Sequence, residues 1–169
     1  MKTEEGGDRS RERRQGESRY TDGMKTGSTT KLRVRYAETD QMGVVYYANY
    51  FVWCEIGRVE FLRGLGFDYR TMEVEDGCML PVVEASCRYK APARYDDEVV
   101  IETRVTGLRQ SVIKFAYRML RAATAELLAE AETVHVVVNM QMQKQSMPAR
   151  YADAIRATMH DASPEGVLG

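Results

Sequence analysis

Cysteine, histidine and proline are scarce in this 169-residue chain, which has three, two and four of them respectively. The cysteines, Cys54, Cys78 and Cys87, are odd in number and show no C-x-x-C spacing, which argues against a disulfide framework and against a zinc site. No apolar run approaches the roughly 18 residues that a membrane helix needs, and the N-terminus lacks the apolar stretch of a signal peptide. These absences predict a cytoplasmic protein with reduced thiols, no metal and no membrane insertion.

An excess of charge of one sign is also lacking. The chain has 24 basic and 25 acidic residues, which gives a formal net charge of -1. No global field would draw it to nucleic acid or to an anionic membrane, so no nucleic-acid partner is expected. Apolar residues, by contrast, are plentiful at 44%, and the length fits one domain with one core.

The two ends of the chain differ from its middle. Residues 1–30 contain no Val, Ile, Leu, Phe or Trp, so they cannot bury enough surface to offset the entropy of ordering. We therefore predict a disordered N-terminal extension over residues 1–30 and a folded domain over residues 31–148. Residues 149–169 are expected to form a C-terminal tail with a short helix opened by Pro148.

Apolar periodicity predicts the elements of the domain. Alternation of Leu32 and Val34 with charged residues predicts a strand over 31–36, and a turn-forming stretch follows over 37–47. Spacing of three or four residues predicts one long helix over 48–65. The residues that set this spacing are Phe51, Val52, Ile56, Val59 and Leu62. Four further strands are predicted over 82–89, 98–108, 112–120 and 127–140, which makes an α+β protein.

One combination of residues suggests chemistry. Asp40 lies in the turn that leads directly into the N-terminus of the predicted helix. A carboxylate can act as a nucleophile or as a general base toward water, and helix N-terminal amides stabilise a negative oxygen developing on a carbonyl carbon. This pairing suits acyl transfer. The alternative from the residues alone is structural, because Asp before a helix is commonly a cap or a turn-former.

Several sequence motifs resemble those of a known family. The run YAETDQMGVVYYANY over 36–50, followed by EIGR over 55–58 and FLR over 61–63, resembles the signature of the 4-hydroxybenzoyl-CoA thioesterase-like branch of hotdog-fold proteins. That branch includes the acyl-CoA thioesterases associated with the Tol-Pal cluster and the naphthoate-CoA thioesterases. The similarity continues through 89–98 and 129–138.

The resemblance implies a hotdog fold, a five-stranded antiparallel sheet wrapped around one long central helix. It also implies hydrolysis of an acyl-CoA thioester to a carboxylate and free CoA by a homodimer or homotetramer, without a metal or an organic cofactor. Two alternatives stay open: a thioesterase that acts on acyl-carrier protein, and a non-catalytic acyl-binding protein that keeps the fold.

The same resemblance assigns roles to residues of the signature. Asp40 matches the catalytic carboxylate, and the backbone amide of Tyr47 matches the group that polarises the thioester carbonyl. Whether Asp40 forms a mixed anhydride or activates water stays open. Tyr46 and Tyr50 are expected to line the acyl pocket, and Asn49 is expected either to bind substrate or to cap the helix.

Coenzyme A carries phosphates, so its site needs cations. The candidates are Arg88, Lys90 and Arg94 around the predicted proline turn, and Arg109 between two strands. His135 falls in an alternating strand, where a histidine is more often a packing residue than a catalytic one.

Overall fold

The computed structural model describes residues 27–160 of the chain. The strands are β1 (Ser28–Arg33), β2 (Val82–Tyr89), β3 (Glu98–Arg109), β4 (Val112–Arg121) and β5 (Leu127–Val136). The helices are α1 (Asn49–Gly64), α2 (Tyr69–Val74) and α3 (Ala149–His160), and a short 3₁₀ helix covers Tyr36–Glu38.

The five strands form one antiparallel sheet in the order β1-β3-β4-β5-β2, and α1 packs on one face of it. Successive residues of β3 and β4 alternate between the two faces of the sheet, so Ile101 and Thr103 of β3 and Phe115 and Tyr117 of β4 are buried on this inner face. The predicted α+β hotdog fold is therefore confirmed, with an open five-stranded sheet packed against one long helix.

The buried face of α1 differs from the predicted one. Of the residues whose spacing predicted the helix, only Leu62 is buried, and Val52 is exposed. The buried side of the helix is displaced around its axis from the predicted stripe and shares only Leu62 with it; its members are Tyr50, Trp53, Cys54, Gly57, Arg58, Phe61 and Leu62. Gly57 makes this rotation possible, because a Cβ there would lie 2.5 Å from Thr103 Oγ1 and 2.9 Å from Ile101 Cγ2. Because the buried side contains a glycine and an arginine, the spacing of apolar residues did not predict it.

The first strand begins earlier than predicted. Of the predicted disordered extension 1–30, residues 1–26 lie outside the described residues, whereas Ser28, Thr29 and Thr30 belong to β1. Thr29 and Thr30 pair with Glu102 and Ile101 of β3, so ladder hydrogen bonds and β-branched side chains order this segment without an aliphatic residue.

The C-terminal helix is part of the core. It begins close to the predicted position, but Tyr151 and Ile155 are fully buried, so α3 packs on the domain and is not a tail; residues 161–169 lie outside the described residues. Helix α2 was not predicted, because a segment of six residues is too short to show a period. Over residues 27–160, no helix combines the length and apolar character needed to cross a bilayer.

Candidate active site

Asp40 lies at the start of a tight hairpin loop. Its N–H donates to the Val44 carbonyl at 2.9 Å, and its own carbonyl accepts from Gly43 N–H at 3.0 Å. Gly43 has a φ of 71°, the left-handed conformation that closes a three-residue loop of this kind and that glycine adopts without strain. Next to the hydrogen-bonded pair of Asp40 and Val44, Thr39 and Val45 form an antiparallel β-bridge. The backbone around Asp40 is therefore fixed on both sides of the loop.

The carboxylate of Asp40 keeps one oxygen available. Its Oδ1 accepts a hydrogen bond from the Met42 N–H at 2.8 Å, an arrangement typical of aspartate in turns. Its Oδ2 has no hydrogen-bond or ion-pair partner within the described part of the chain. Asp40 thus serves as a turn residue through one oxygen while the other is available to a substrate or a water.

The backbone leading into α1 leaves two donors available. The N–H groups of Asn49 and Tyr50 donate to the carbonyls of Tyr46 and Tyr47, at 3.0 and 3.4 Å. By contrast, the N–H groups of Tyr47 and Ala48 have no acceptor within residues 27–160. Because α1 begins at Asn49, these two amides lie at the positive end of its dipole. They are suited to hold a developing oxyanion.

An open cleft of about 310 Å³ joins these two features. Its walls come from the Asp40 loop, the start of α1 and the end of β2. The lining residues are Asp40, Met42, Val44, Val45, Tyr47, Tyr50, Tyr89, Lys90, Ala91 and Pro92. The structure therefore brings together four of the predicted site residues, Asp40, Tyr47, Tyr50 and Lys90.

Aromatic rings form one wall of the cleft. Tyr50 and Tyr89 meet edge to face with their ring centres 5.0 Å apart, and the Tyr89 hydroxyl donates to the Tyr47 carbonyl at 3.0 Å. Burial raises the pKa of Tyr50, whose hydroxyl accepts from the Ala93 N–H at 3.2 Å. Both tyrosines stay neutral at pH 7, so this wall offers an apolar surface to an acyl group.

Comparison with known proteins identifies the family. Residues 34–157 match the thioesterase-like superfamily, a span that includes the whole cleft. The chain belongs to this superfamily. The predicted class of enzyme is therefore confirmed at the level of the family.

Individual relatives agree with this membership. The chain is 38% identical over 117 residues to YneP of Bacillus subtilis (strain 168), covering 69% of this chain and 83% of that one. It is 36% identical over 118 residues to the acyl-CoA thioester hydrolase YbgC of Escherichia coli O157:H7, covering 69% of this chain and 87% of YbgC. Among solved structures, Slr0204, a 1,4-dihydroxy-2-naphthoyl-CoA thioesterase from Synechocystis, has 27% identity and a TM-score of 0.72, with 77% of this chain and 96% of that one covered.

Three predicted site residues of this thioesterase-like chain lie beside the cleft and not in its lining. The Tyr46 ring packs on the Tyr47 ring with centres 4.7 Å apart. Asn49 donates through Nδ2 to the Glu38 carbonyl at 2.8 Å, so its side chain ties the helix to the loop and does not cap α1. Arg94 donates to the Gly43 carbonyl at 3.4 Å, which places a cation at the tip of the Asp40 loop.

Arg88 does not reach the cleft. Successive residues of β2 alternate in direction, so Arg88 lies on the outer face of the sheet opposite Glu130, while Tyr89 faces the cleft. Arg109, at the end of β3, is exposed and also stands outside the cleft lining. Of the predicted phosphate-binding cations, Lys90 and Arg94 are therefore the ones near Asp40.

Sequence reasoning missed Tyr89, Ala91 and Pro92 as lining residues. Their segment was recognised only as part of the family resemblance, and its place opposite Asp40 depends on the pairing of Val45 with Ala93, whose backbone groups meet at 2.8 Å. Such a contact between distant segments leaves no periodic signal. Elsewhere in residues 27–160, no three His, Cys, Asp or Glu side chains are grouped closely enough to hold a metal ion.

Proposed function

We propose that this chain hydrolyses an acyl-CoA thioester to a carboxylate and free CoA, with Asp40 as the catalytic carboxylate and the Tyr47 amide as the oxyanion donor. The observation that carries the proposal is the cleft, which is lined by Asp40, with one available carboxylate oxygen, and by Tyr47, with an available N–H. The name of YbgC as an acyl-CoA thioester hydrolase supports the choice of substrate class.

The chemistry follows from these two groups. The thioester carbonyl oxygen accepts a hydrogen bond from the Tyr47 N–H, which makes its carbon more electrophilic. Asp40 then either attacks that carbon, forming an anhydride that water cleaves, or removes a proton from a water that attacks it. In both routes the C–S bond breaks, CoA leaves as a thiolate that takes up a proton, and the acyl group leaves as a carboxylate.

The rest of the cleft suits the two halves of the substrate. Tyr50 and Tyr89 provide an apolar wall for the acyl group. Lys90 in the lining and Arg94 beside it provide charge for the CoA phosphates. Both cations are on the chain segment that follows β2, so the nucleotide is expected to lie along that side of the opening.

We also propose that the active protein is a homodimer or a larger homo-oligomer. Strand β2 is an edge strand, and seven of its eight residues are exposed. They include the exposed apolar side chains of Val82, Val83 and Tyr89, and the unpaired edge of β2 offers backbone groups with which a second copy can pair. Because Tyr89 also lines the cleft, pairing there would complete the wall of the site. Sedimentation equilibrium is expected to give a multiple of 19.2 kDa, and a monomer mass with full activity would contradict this proposal.

The test of the function is release of free thiol across a panel of acyl-CoA thioesters with short aliphatic, aromatic and naphthoyl groups. We expect turnover of at least one class, and the ranking identifies the acyl preference. If the protein cleaves acyl-carrier-protein thioesters but none of the acyl-CoA thioesters, the carrier-protein thioester is the substrate. Binding of acyl-CoA without any turnover would favour the non-catalytic alternative. Membership of the Tol-Pal-associated branch and a cytoplasmic location remain predictions.

A further inference from the structure

Glu38, two residues before Asp40, is a buried carboxylate with an unusual set of contacts. Only 5% of the residue is exposed. Its Oε2 accepts from the Arg35 N–H at 2.7 Å, and its Oε1 accepts from Trp53 Nε1 at 3.1 Å and from the Arg35 guanidinium at 3.3 Å. Trp53 is a fully buried residue of α1, so the carboxylate links the segment before the Asp40 loop to the helix.

The main-chain carbonyl of Glu38 forms a second link. It accepts from the Tyr46 N–H at 2.9 Å and from Asn49 Nδ2 at 2.8 Å. Tyr46 precedes the residue whose amide is the proposed oxyanion donor, and Asn49 is the first residue of α1. One residue therefore holds both ends of the Asp40 loop and the start of the helix.

We infer that Glu38 is a positioning residue, which sets the distance between the Asp40 carboxylate and the Tyr47 amide through five hydrogen bonds from four residues, Arg35, Trp53, Tyr46 and Asn49. This inference rests on the proposed function. Asn49 of the first turn of α1 donates to the Glu38 carbonyl, and Trp53 of the next turn donates to the Glu38 carboxylate. Glu38 therefore connects the segment that leads into the Asp40 loop with the helix that follows Tyr47.

The charged form of Glu38 fits this role. Burial raises the pKa of Glu38, but the hydrogen bonds from Arg35 and Trp53 outweigh burial and leave the pKa below its ordinary value. All the groups that face the carboxylate are donors. Glutamine at this position would turn an NH₂ group toward one of them, so Glu38→Gln keeps the volume of the side chain while breaking the arrangement.

The test compares Glu38→Gln with Glu102→Gln. Glu102 is an equally buried carboxylate, 3% exposed, paired with Arg118 at 2.9 Å on the outer face of the sheet, away from the cleft. A displacement of about 1 Å at a reacting group costs on the order of a hundredfold, so we expect kcat of Glu38→Gln to fall by about 10- to 100-fold with KM changed much less. Glu102→Gln is expected to keep kcat within about twofold, since distant sites act independently.

Two further measurements keep the test decisive. Asn49→Ala removes only the amide contact with the Glu38 carbonyl and is expected to lower kcat by about tenfold in a folded protein. Hydrogen exchange of the Tyr46 amide reports the loop directly and needs no turnover. It is expected to be faster in Glu38→Gln than in Glu102→Gln, because the acceptor of that amide has lost its anchors.

Folded Glu38→Gln with wild-type kcat and wild-type exchange at Tyr46 would overturn the inference. If Glu38→Gln does not fold, wild-type kcat in Asn49→Ala would overturn it instead. Equal losses of kcat in Glu38→Gln and Glu102→Gln would also overturn it, because destabilisation of the whole fold by loss of a buried carboxylate would then explain both. A wild-type protein inactive on every thioester would refute the proposed function, and the exchange at Tyr46 would still decide whether Glu38 holds the loop.

Discussion

The stability of this fold is expected to fall in mild acid because of one buried histidine. His135 is fully buried on β5, with Nδ1 2.9 Å from the Leu80 carbonyl oxygen and Nε2 2.9 Å from Thr133 Oγ1. Burial lowers the pKa of His135 to about 4 from the ordinary 6.5; the Leu80 hydrogen bond opposes this, and the positive charge of Arg58 adds to it. The ring is therefore neutral at pH 7, and its contacts confirm that it packs in the core outside the cleft.

The size of the effect follows from that pKa difference. Below pH 6.5 the unfolded chain takes up a proton at His135, whereas the folded chain does so only near pH 4. The stability that the fold gains from burying neutral His135 is therefore fully present above pH 6.5 and is lost as the pH falls toward 4. At about 1.4 kcal/mol per pKa unit, the whole loss is about 3 kcal/mol, of which about 2 kcal/mol is lost by pH 5.

The assay is urea unfolding of the wild type and of His135→Asn at pH 7, 6 and 5. Carboxylates such as Glu38 titrate in both proteins, so the difference between the two free energies of unfolding isolates His135. We expect the wild type to be more stable at pH 7 and its advantage to shrink by about 2 kcal/mol at pH 5. Parallel curves across this pH range would refute the reasoning.

Two further predictions concern the fold. Gly57→Ala is expected to destabilise the protein by about 1–3 kcal/mol, because its Cβ would meet Thr103 and Ile101; Gly64→Ala, which meets nothing within 4 Å, is the control, and equal melting temperatures for the two variants would contradict the prediction. Deletion of residues 1–26 is expected to leave the melting temperature nearly unchanged because that segment lacks aliphatic residues, whereas deletion of residues 1–30 removes part of β1 and is expected to lower it. Equal melting temperatures for the two deletions would show that the first residues of β1 contribute nothing.

Most of the fold could be predicted from local patterns in the sequence. Strands β3 and β4 were predictable because Ile101, Thr103, Phe115 and Tyr117 alternate with outward residues, and a period of two has one structural meaning. The Asp40 loop was predictable as a turn from the residues near Gly43. The helix was predictable in position but not in orientation, because Gly57 and Arg58 lie on its buried side.

The site was less accessible to sequence reasoning. Asp40 and Tyr47 were expected together because the family resemblance pairs them and because Asp40 lies in the turn that leads into the predicted helix, whereas Tyr89 comes to the cleft through tertiary contacts. The direction of Arg88 was readable but missed: along β2 the apolar residues Val83, Ala85, Cys87 and Tyr89 alternate with the polar residues Glu84, Ser86 and Arg88, which puts Arg88 and Tyr89 on opposite faces. The contacts of Glu38 leave no trace in the sequence, because its partners lie up to 15 residues away and include main-chain atoms.

The most direct test of the central claim is kcat of Asp40→Asn together with its melting temperature. Asparagine keeps the shape of the side chain and can still accept from the Met42 N–H, so the turn is expected to survive. Loss of the carboxylate as a general base costs on the order of 10²- to 10⁴-fold, and loss of a nucleophile costs more. We predict a variant with the wild-type melting temperature and kcat lowered at least about a hundredfold. A stable Asp40→Asn protein whose kcat stays close to the wild-type value would contradict the catalytic assignment.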